Sequence, residues 1–198
     1  MKSRGIEPKL ATILVGDDHA SKAYVASKHK ACLEVGVTSE NHTLPSSTDE
    51  SSLSGLIENL NRNESVHGIL LQLPLPKQLD VYKMIERIAP NKDVDGLTSR
   101  NMGLLVYGKP QLVPCTPKGV ITLLKFYKID LKGRPTVIIN RSHLVGKPLA
   151  HLMMAEDSTV TVCHSKSNDL HGIMREAEIL ISAVGKRPGF TVTADSVR

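Results

Sequence analysis

Tyr24 and Lys28 stand four residues apart in a stretch that reads as helix, so they share a face one turn apart. The lysine can carry a proton and a charge, and the tyrosine offers a flat apolar ring. Taken alone, such a pair is more often an ordinary amphipathic contact. Gln72 is less ordinary. It follows the apolar run 66–71 and precedes Leu73-Pro74-Leu75-Pro76, at the carboxyl end of a predicted strand, where open α/β sheets place ligands. Its amide both donates and accepts, so it can orient a lysine ammonium or a substrate amide; a bond to its own loop backbone is the plainer alternative. Asn91-Lys92-Asp93-Val94-Asp95-Gly96 holds two carboxylates at i and i+2, which point to opposite sides of an extended stretch. One can turn the loop while the other faces a cleft. A carboxylate grips a cyclic N–C(NH₂)–N–H edge with two parallel hydrogen bonds, as it grips arginine. Calcium, the competing use, is discounted because the further oxygen ligands of an EF-hand series are missing.

A second constellation lies further on. The turn Asn140-Arg141-Ser142-His143-Leu144-Val145-Gly146-Lys147-Pro148 follows a predicted strand and enters a helix. It is not GxGxxG, yet it is a strand–turn–helix with Gly just before the helix, so phosphate is expected on free backbone N–H groups at the positive end of the helix dipole. An ordinary βα loop is the alternative. The next strand ends in Cys163-His164-Ser165-Lys166-Ser167, with no acid until Asp169. An NAD-selective site usually places Asp or Glu here for the ribose 2′-OH. Arg141, Lys166 and the Ser165 hydroxyl instead suit a dianionic 2′-phosphate, which favours NADP over NAD.

The elements that must position these residues alternate along the chain. Strands are predicted at 10–15, 37–44, 66–71, 135–140, 159–163 and 178–184. Helices are predicted at 21–35, from Ser47 or Thr48 as N-cap to about 60, at 80–88, from Thr116 as N-cap with Pro117 at the first position to about 127, at 148–155 and at 169–177. Residues 90–114 read as irregular. Strands alternating with helices mean βαβ units and a mainly parallel sheet covered on both faces. A domain boundary falls near 115–134. The three strands after it form one βαβαβ unit, half of a dinucleotide-binding fold, so the chain is expected to be truncated at its carboxyl end.

Composition excludes several classes. The 198 residues fit one large or two small domains. No apolar run approaches the roughly 20 residues of a membrane helix, so no membrane role is expected, and the opening MKSRGIEPKL lacks a signal's apolar stretch. Lys and Arg number 25 against 20 Asp and Glu, without any block of like charge, and the aromatic residues are scattered. That argues against nucleic acid and suits small anions. Three cysteines without CxxC, and histidines without HExxH, imply a reduced compartment and no metal site.

The pieces together resemble one family. The run 15–28 with Gly16-Asp17-Asp18, Ser21-Lys22-Ala23-Tyr24 and Lys28, the run Gly68-Ile69-Leu70-Leu71-Gln72-Leu73-Pro74-Leu75-Pro76, and Lys92-Asp93-Val94-Asp95-Gly96 come in that order. Pro114-Cys115-Thr116-Pro117 and Arg141-Ser142 with Val145-Gly146-Lys147-Pro148 follow. One such motif is weak; five in order closely resemble bifunctional methylenetetrahydrofolate dehydrogenase/methenyltetrahydrofolate cyclohydrolase. The resemblance implies two α/β domains with a cleft between them. Residues 1–115 would bind folate, lacking the family's opening helix, and 116–198 would form an incomplete Rossmann-like NADP domain. It implies oxidation of 5,10-methylenetetrahydrofolate with NADP, then hydrolysis to 10-formyltetrahydrofolate, in a cytoplasmic homodimer. By motif match Lys28 is the central catalytic residue and Gln72 its partner. Tyr24 would stack on the aminobenzoyl group, Asp95 would hold the pterin edge, and Leu73 would line the folate site. Asn140, Arg141, Ser142, Val145, Gly146 and Ser165 would line the NADP site.

Three departures accompany it. The family usually has Gly where Asn140 stands, and Gly permits close approach and unusual φ, so Asn140 bears on cofactor affinity. Arg187 sits where Lys would directly precede Pro. The later strand, a PGGVGP-type loop and the last helix lie outside the sequence. Two alternatives stand beside this reading. One is a shikimate-type NADP dehydrogenase, and the other is a truncated, non-catalytic folate- or nucleotide-binding remnant.

Overall fold

Short apolar runs pair as parallel strands in two three-stranded sheets. The structure, a computed structural model, describes residues 7–185 and 190–197; Arg187 and its neighbours lie outside them. The chain divides into two units, Met1–Arg100 and Asn101–Arg198.

In the first unit β1 (Lys9–Val15) lies between β2 (Thr38–Leu44) and β3 (Gly68–Leu71). Ala11, Ile13 and Val15 of β1 and Ile69 and Leu71 of β3 share a face. They pack on Leu53, Ile57 and Leu60, the i, i+4, i+7 stripe of α2 (Glu50–Arg62), and on Met84 and Ile85 of α3 (Val81–Glu86). Helix α1 (His19–Glu34) joins β1 to β2 and buries only Ser21 and Val25. Because β3 crosses back to pair with β1, the strand order reverses at β1 and β3. Ligands bind beyond the carboxyl ends of strands at such a point.

The second unit repeats the order: β4 (Pro135–Ile139) lies between β5 (Thr159–Cys163) and β6 (Ile179–Ser182), all parallel. Ile138 faces Ile121 of α5 (Cys115–Phe126) and Leu149 and Met153 of α6 (Gly146–Ala155). Val137 and Ile139 face Met174 of α7 (Leu170–Glu176), with Phe190 and Val192 packed alongside. Helices therefore cover both faces of β4, while β2 and β5 are edge strands with several exposed residues.

Local details depart from the sequence reading. The cap of α2 is Asp49, whose carboxylate accepts from Ser52 N–H at 2.7 Å, while the Thr48 hydroxyl closes a turn onto the Pro45 carbonyl. Helix α5 starts at Cys115 after Pro114, so Pro117 is its third residue; it costs nothing there, because the first four N–H groups of a helix have no internal partner. The stretch 90–114 is not all irregular, since it holds α4 (Ser99–Val106). The Glu86 carboxylate starts this helix by accepting from Ser99 N–H at 2.6 Å and its hydroxyl at 2.8 Å.

Lys92 is a fastener of this unit. Its ammonium donates to the carbonyls of Leu60, Asn61 and Asn63 at 3.1, 2.8 and 2.8 Å, at the carboxyl end of α2, where a helix favours a cation. Lys92→Met is expected to lower stability by about 1–3 kcal/mol, the scale for hydrogen bonds to a charged group. Urea unfolding measures it; an unchanged midpoint would mean that water serves these carbonyls equally well.

Candidate active site

Three elements bring the first constellation together at the β1/β3 reversal. The first is α1. Gly16, at φ 93°, turns the chain out of β1, a left-handed conformation that favours glycine. Asp18 then caps α1 by accepting from Ser21 N–H at 2.7 Å, and the bonds from Ser21 hold its carboxyl below the ordinary value. One face of α1 then presents Tyr24, 51% exposed, and Lys28. The Lys28 ammonium lies over the Tyr24 ring, 4.4 Å from its centre, a cation–π arrangement.

The second element is β3, whose ladder runs into Gln72, where the backbone N–H donates to Ile13 at 2.8 Å. The Gln72 carboxamide donates to the Leu73 carbonyl at 2.7 Å. In this structure it takes the plainer alternative and does not hold the Lys28 ammonium. Leu73 packs on the hydrophobic core.

The third element is the acidic loop, which runs beside β3: Ile69 N–H donates to the Lys92 carbonyl at 2.7 Å, and Ile69 and Asp93 bridge in parallel. The two carboxylates divide their work. Asp93 is buried at 2% exposure and accepts from Thr98 N–H at 2.8 Å, locking the turn. Asp95 is half-buried and within electrostatic reach of Lys28. Burial pushes its carboxyl up; Lys28 pulls it down and Asp93 adds to the rise. Burial wins, so the site keeps a carboxyl that takes up a proton more readily than usual.

In the second unit, Ile139 opposite Cys163 puts the loops after β4 and β5 side by side. The β5 loop is a tight turn, with His164 N–H on the Ser167 hydroxyl and Ser167 N–H on the His164 carbonyl, both at 2.9 Å. Ser165 and Lys166 stand exposed on it, as Arg141 and Lys147 do on the neighbouring turn. On the first of these turns, after β4, His143 and Lys147, four residues apart, meet at 3.3 Å. The i, i+4 spacing is the sequence signal for this pair.

The start of α6 differs from expectation. Its terminal N–H groups are occupied: Gly146 donates to Asn140 Oδ1 at 3.2 Å, Lys147 to the Ser142 carbonyl at 3.0 Å, and Pro148 has none. These amides are therefore engaged within the turn in this structure, with the exposed cations Arg141, Lys147 and Lys166 standing on the two turns beside them. Gly146 is required because a Cβ there would collide with the Asn140 carbonyl. Asn140 itself is not among the positive-φ residues, so no conformational demand for Gly exists at 140. This cationic, hydroxyl-bearing pair of turns fits a nucleotide with an extra phosphate. Among the described residues no group of three or more His, Cys, Asp or Glu stands ready for a metal, and no helix is long and apolar enough to cross a membrane.

Comparison with known proteins gives the family. The profile described as tetrahydrofolate dehydrogenase/cyclohydrolase, catalytic domain, matches residues 1–95, and the NAD(P)-binding domain of the same family matches 114–198. The bifunctional protein FolD of Nitrosopumilus maritimus is 52% identical over 198 residues, which are 100% of this chain and 69% of that protein. The crystal structure of the bifunctional methylenetetrahydrofolate dehydrogenase/cyclohydrolase from Campylobacter jejuni superposes with a TM-score of 0.95 at 45% identity, over 100% of this chain and 70% of that one. The Trypanosoma brucei enzyme, solved with NADP cofactor and inhibitor, gives 0.89 at 34% identity, over 93% and 64%. These matches set aside the shikimate-type alternative: the chain belongs to the tetrahydrofolate dehydrogenase/cyclohydrolase family, whose bifunctional enzymes define its enzyme class.

Proposed function

We propose that this chain oxidises 5,10-methylenetetrahydrofolate to the 5,10-methenyl form with NADP and hydrolyses that product to 10-formyltetrahydrofolate. We assign folate binding and catalysis to Tyr24, Lys28, Gln72 and Asp95, with Leu73 lining the site. We assign cofactor binding to Asn140, Arg141, Ser142, Val145, Gly146 and Ser165. The observation that carries the reading is one ammonium, Lys28, held over an exposed aromatic ring and within electrostatic reach of the Asp95 carboxylate at the β1/β3 reversal.

Each group has a task. The exposed Tyr24 ring offers its face to the aminobenzoyl part of folate. Asp95 accepts the two parallel N–H bonds of the pterin edge. Loss of hydride leaves a cation that the two folate nitrogens already delocalise, so the first step asks the protein mainly for orientation. Bound NADP supplies the hydride acceptor. Hydrolysis needs proton traffic at the carbon bearing that cation, and Lys28 is the group placed to carry it. Gln72 can turn its carboxamide from Leu73 to the Lys28 nitrogen without adding charge. Arg141, Lys166 and Ser165 hold the 2′-phosphate. A homodimer and a cytoplasmic location complete the reading, both resting on the family resemblance.

The test is NADPH formation from 5,10-methylenetetrahydrofolate, with NADP beside NAD. Turnover is expected to favour NADP, and Arg141→Ala to reduce that preference by about tenfold or more, the worth of one charge-assisted hydrogen bond. Equal use of both cofactors by the unaltered chain would contradict the assignment.

A further inference from the structure

The Asn140 side chain is bonded at both ends. Its Oδ1 accepts from the backbone N–H of Ser142 at 2.7 Å and of Gly146 at 3.2 Å. Its Nδ2 donates to the Ala183 carbonyl. Ser142 and Gly146 belong to the turn between β4 and α6; Ala183 directly follows β6. Within the turn, Val145 N–H donates to the Ser142 hydroxyl at 3.1 Å and Lys147 N–H to the Ser142 carbonyl, and next to it Ala183 N–H donates back to the Ile139 carbonyl at 3.3 Å. One carboxamide thus ties the turn to the neighbouring strand end. Strands β4 and β6 are the pair at which this sheet's order reverses, so the tie sits where an α/β sheet receives its ligand.

Building on the cofactor assignment above, we infer that Asn140 is a positioning residue for NADP: its carboxamide locks the turn that carries Arg141 and Ser142 against the end of β6. Backbone conformation does not require the residue, since its φ is not in the left-handed region. Its two acceptor bonds and one donor bond are what a smaller side chain loses. Without them the turn samples other arrangements, and the apparent affinity falls in proportion to the fraction still arranged to bind. If that fraction drops to about a tenth, the dissociation constant rises about tenfold. Asn here strengthens the cofactor seat through its side chain rather than through backbone freedom.

The experiment is titration of NADP into the 198-residue chain and its Asn140→Ala and Asn140→Gly variants, with amide hydrogen exchange on all three. The expected result is a dissociation constant about tenfold higher in both variants, together with faster exchange at the Ser142 and Gly146 amides. Ala keeps the backbone stiff, so it isolates the lost carboxamide, and Gly serves should Ala fail to fold. A merely structural role would lower the melting temperature and spread faster exchange through β4 and α6 with NADP affinity intact; that result overturns the inference. So does unchanged affinity with the two amides still protected. Failure of the unaltered chain to bind NADP would instead refute the cofactor assignment itself, a distinct outcome.

Discussion

Lys28→Met lowers the rate of methenyltetrahydrofolate hydrolysis by about 10²–10⁴-fold, the range that general acid–base assistance supplies. Met keeps most of the side chain's length and its apolar stem, so the change removes the ammonium and little packing. Lys28 is half-buried, lies over an exposed ring and is within electrostatic reach of Asp95. The groups assigned to folate recognition, Tyr24 and Asp95, stay in place. The loss should therefore appear in kcat far more than in KM. The dehydrogenase step, which needs orientation more than proton transfer, should lose less. Steady-state kinetics of both steps on the variant measure this, and a hydrolytic kcat within a few-fold of the original would remove Lys28 from the mechanism.

Asp95→Asn is expected to weaken folate binding by about 10²-fold while making the fold more stable at neutral pH. The first figure follows from two hydrogen bonds to a charged acceptor, each worth about 1.5–3 kcal/mol, with the amide retaining part of them. The second follows from the direction of the carboxyl's shift. Burial, helped by Asp93 and opposed by Lys28, raises its folded-state value above the ordinary one. The folded state therefore binds more protons than the unfolded state, and stability falls as pH rises between the two values. Below about pH 4, where both states are protonated, the cost vanishes; above the raised value it is fully present. Asn removes it. Melting temperatures of the two proteins should thus coincide in acid and diverge toward neutrality, with the variant higher. A variant less stable than the original at neutral pH would show that the Lys28 attraction outweighs burial.

These two predictions rest on residues that are legible in sequence for a physical reason. Tyr24 and Lys28 sit at helical spacing, Gln72 ends an apolar run, and Asp95 follows Asp93 at the alternation of an extended chain, so local periodicity places them. The strand cores 10–15 and 135–140 and the α2 stripe are local in the same sense. What the sequence hides is non-local. Helix α4 has Gly103 in its middle and takes its start from Glu86, 13 residues back, so nothing within 90–114 announces it. The strand order follows from which crossover returns to β1, not from any single segment. Asn140 reads as an ill-fitting replacement for Gly until Ala183, 43 residues away, appears as its partner. The α6 terminus likewise reads as open to phosphate until Ser142 and Asn140 are seen to fill it.

On this assignment the Lys28-centred cluster hydrolyses the methenyl bridge of 5,10-methenyltetrahydrofolate. Following the absorbance of 5,10-methenyltetrahydrofolate with the purified chain, beside Lys28→Met and buffer, tests it most directly, because Tyr24, Lys28, Gln72 and Asp95 all lie within the first unit. Decay well above buffer is expected from the chain, returning to the buffer rate in the variant. Decay equally fast in chain and variant would contradict the assignment.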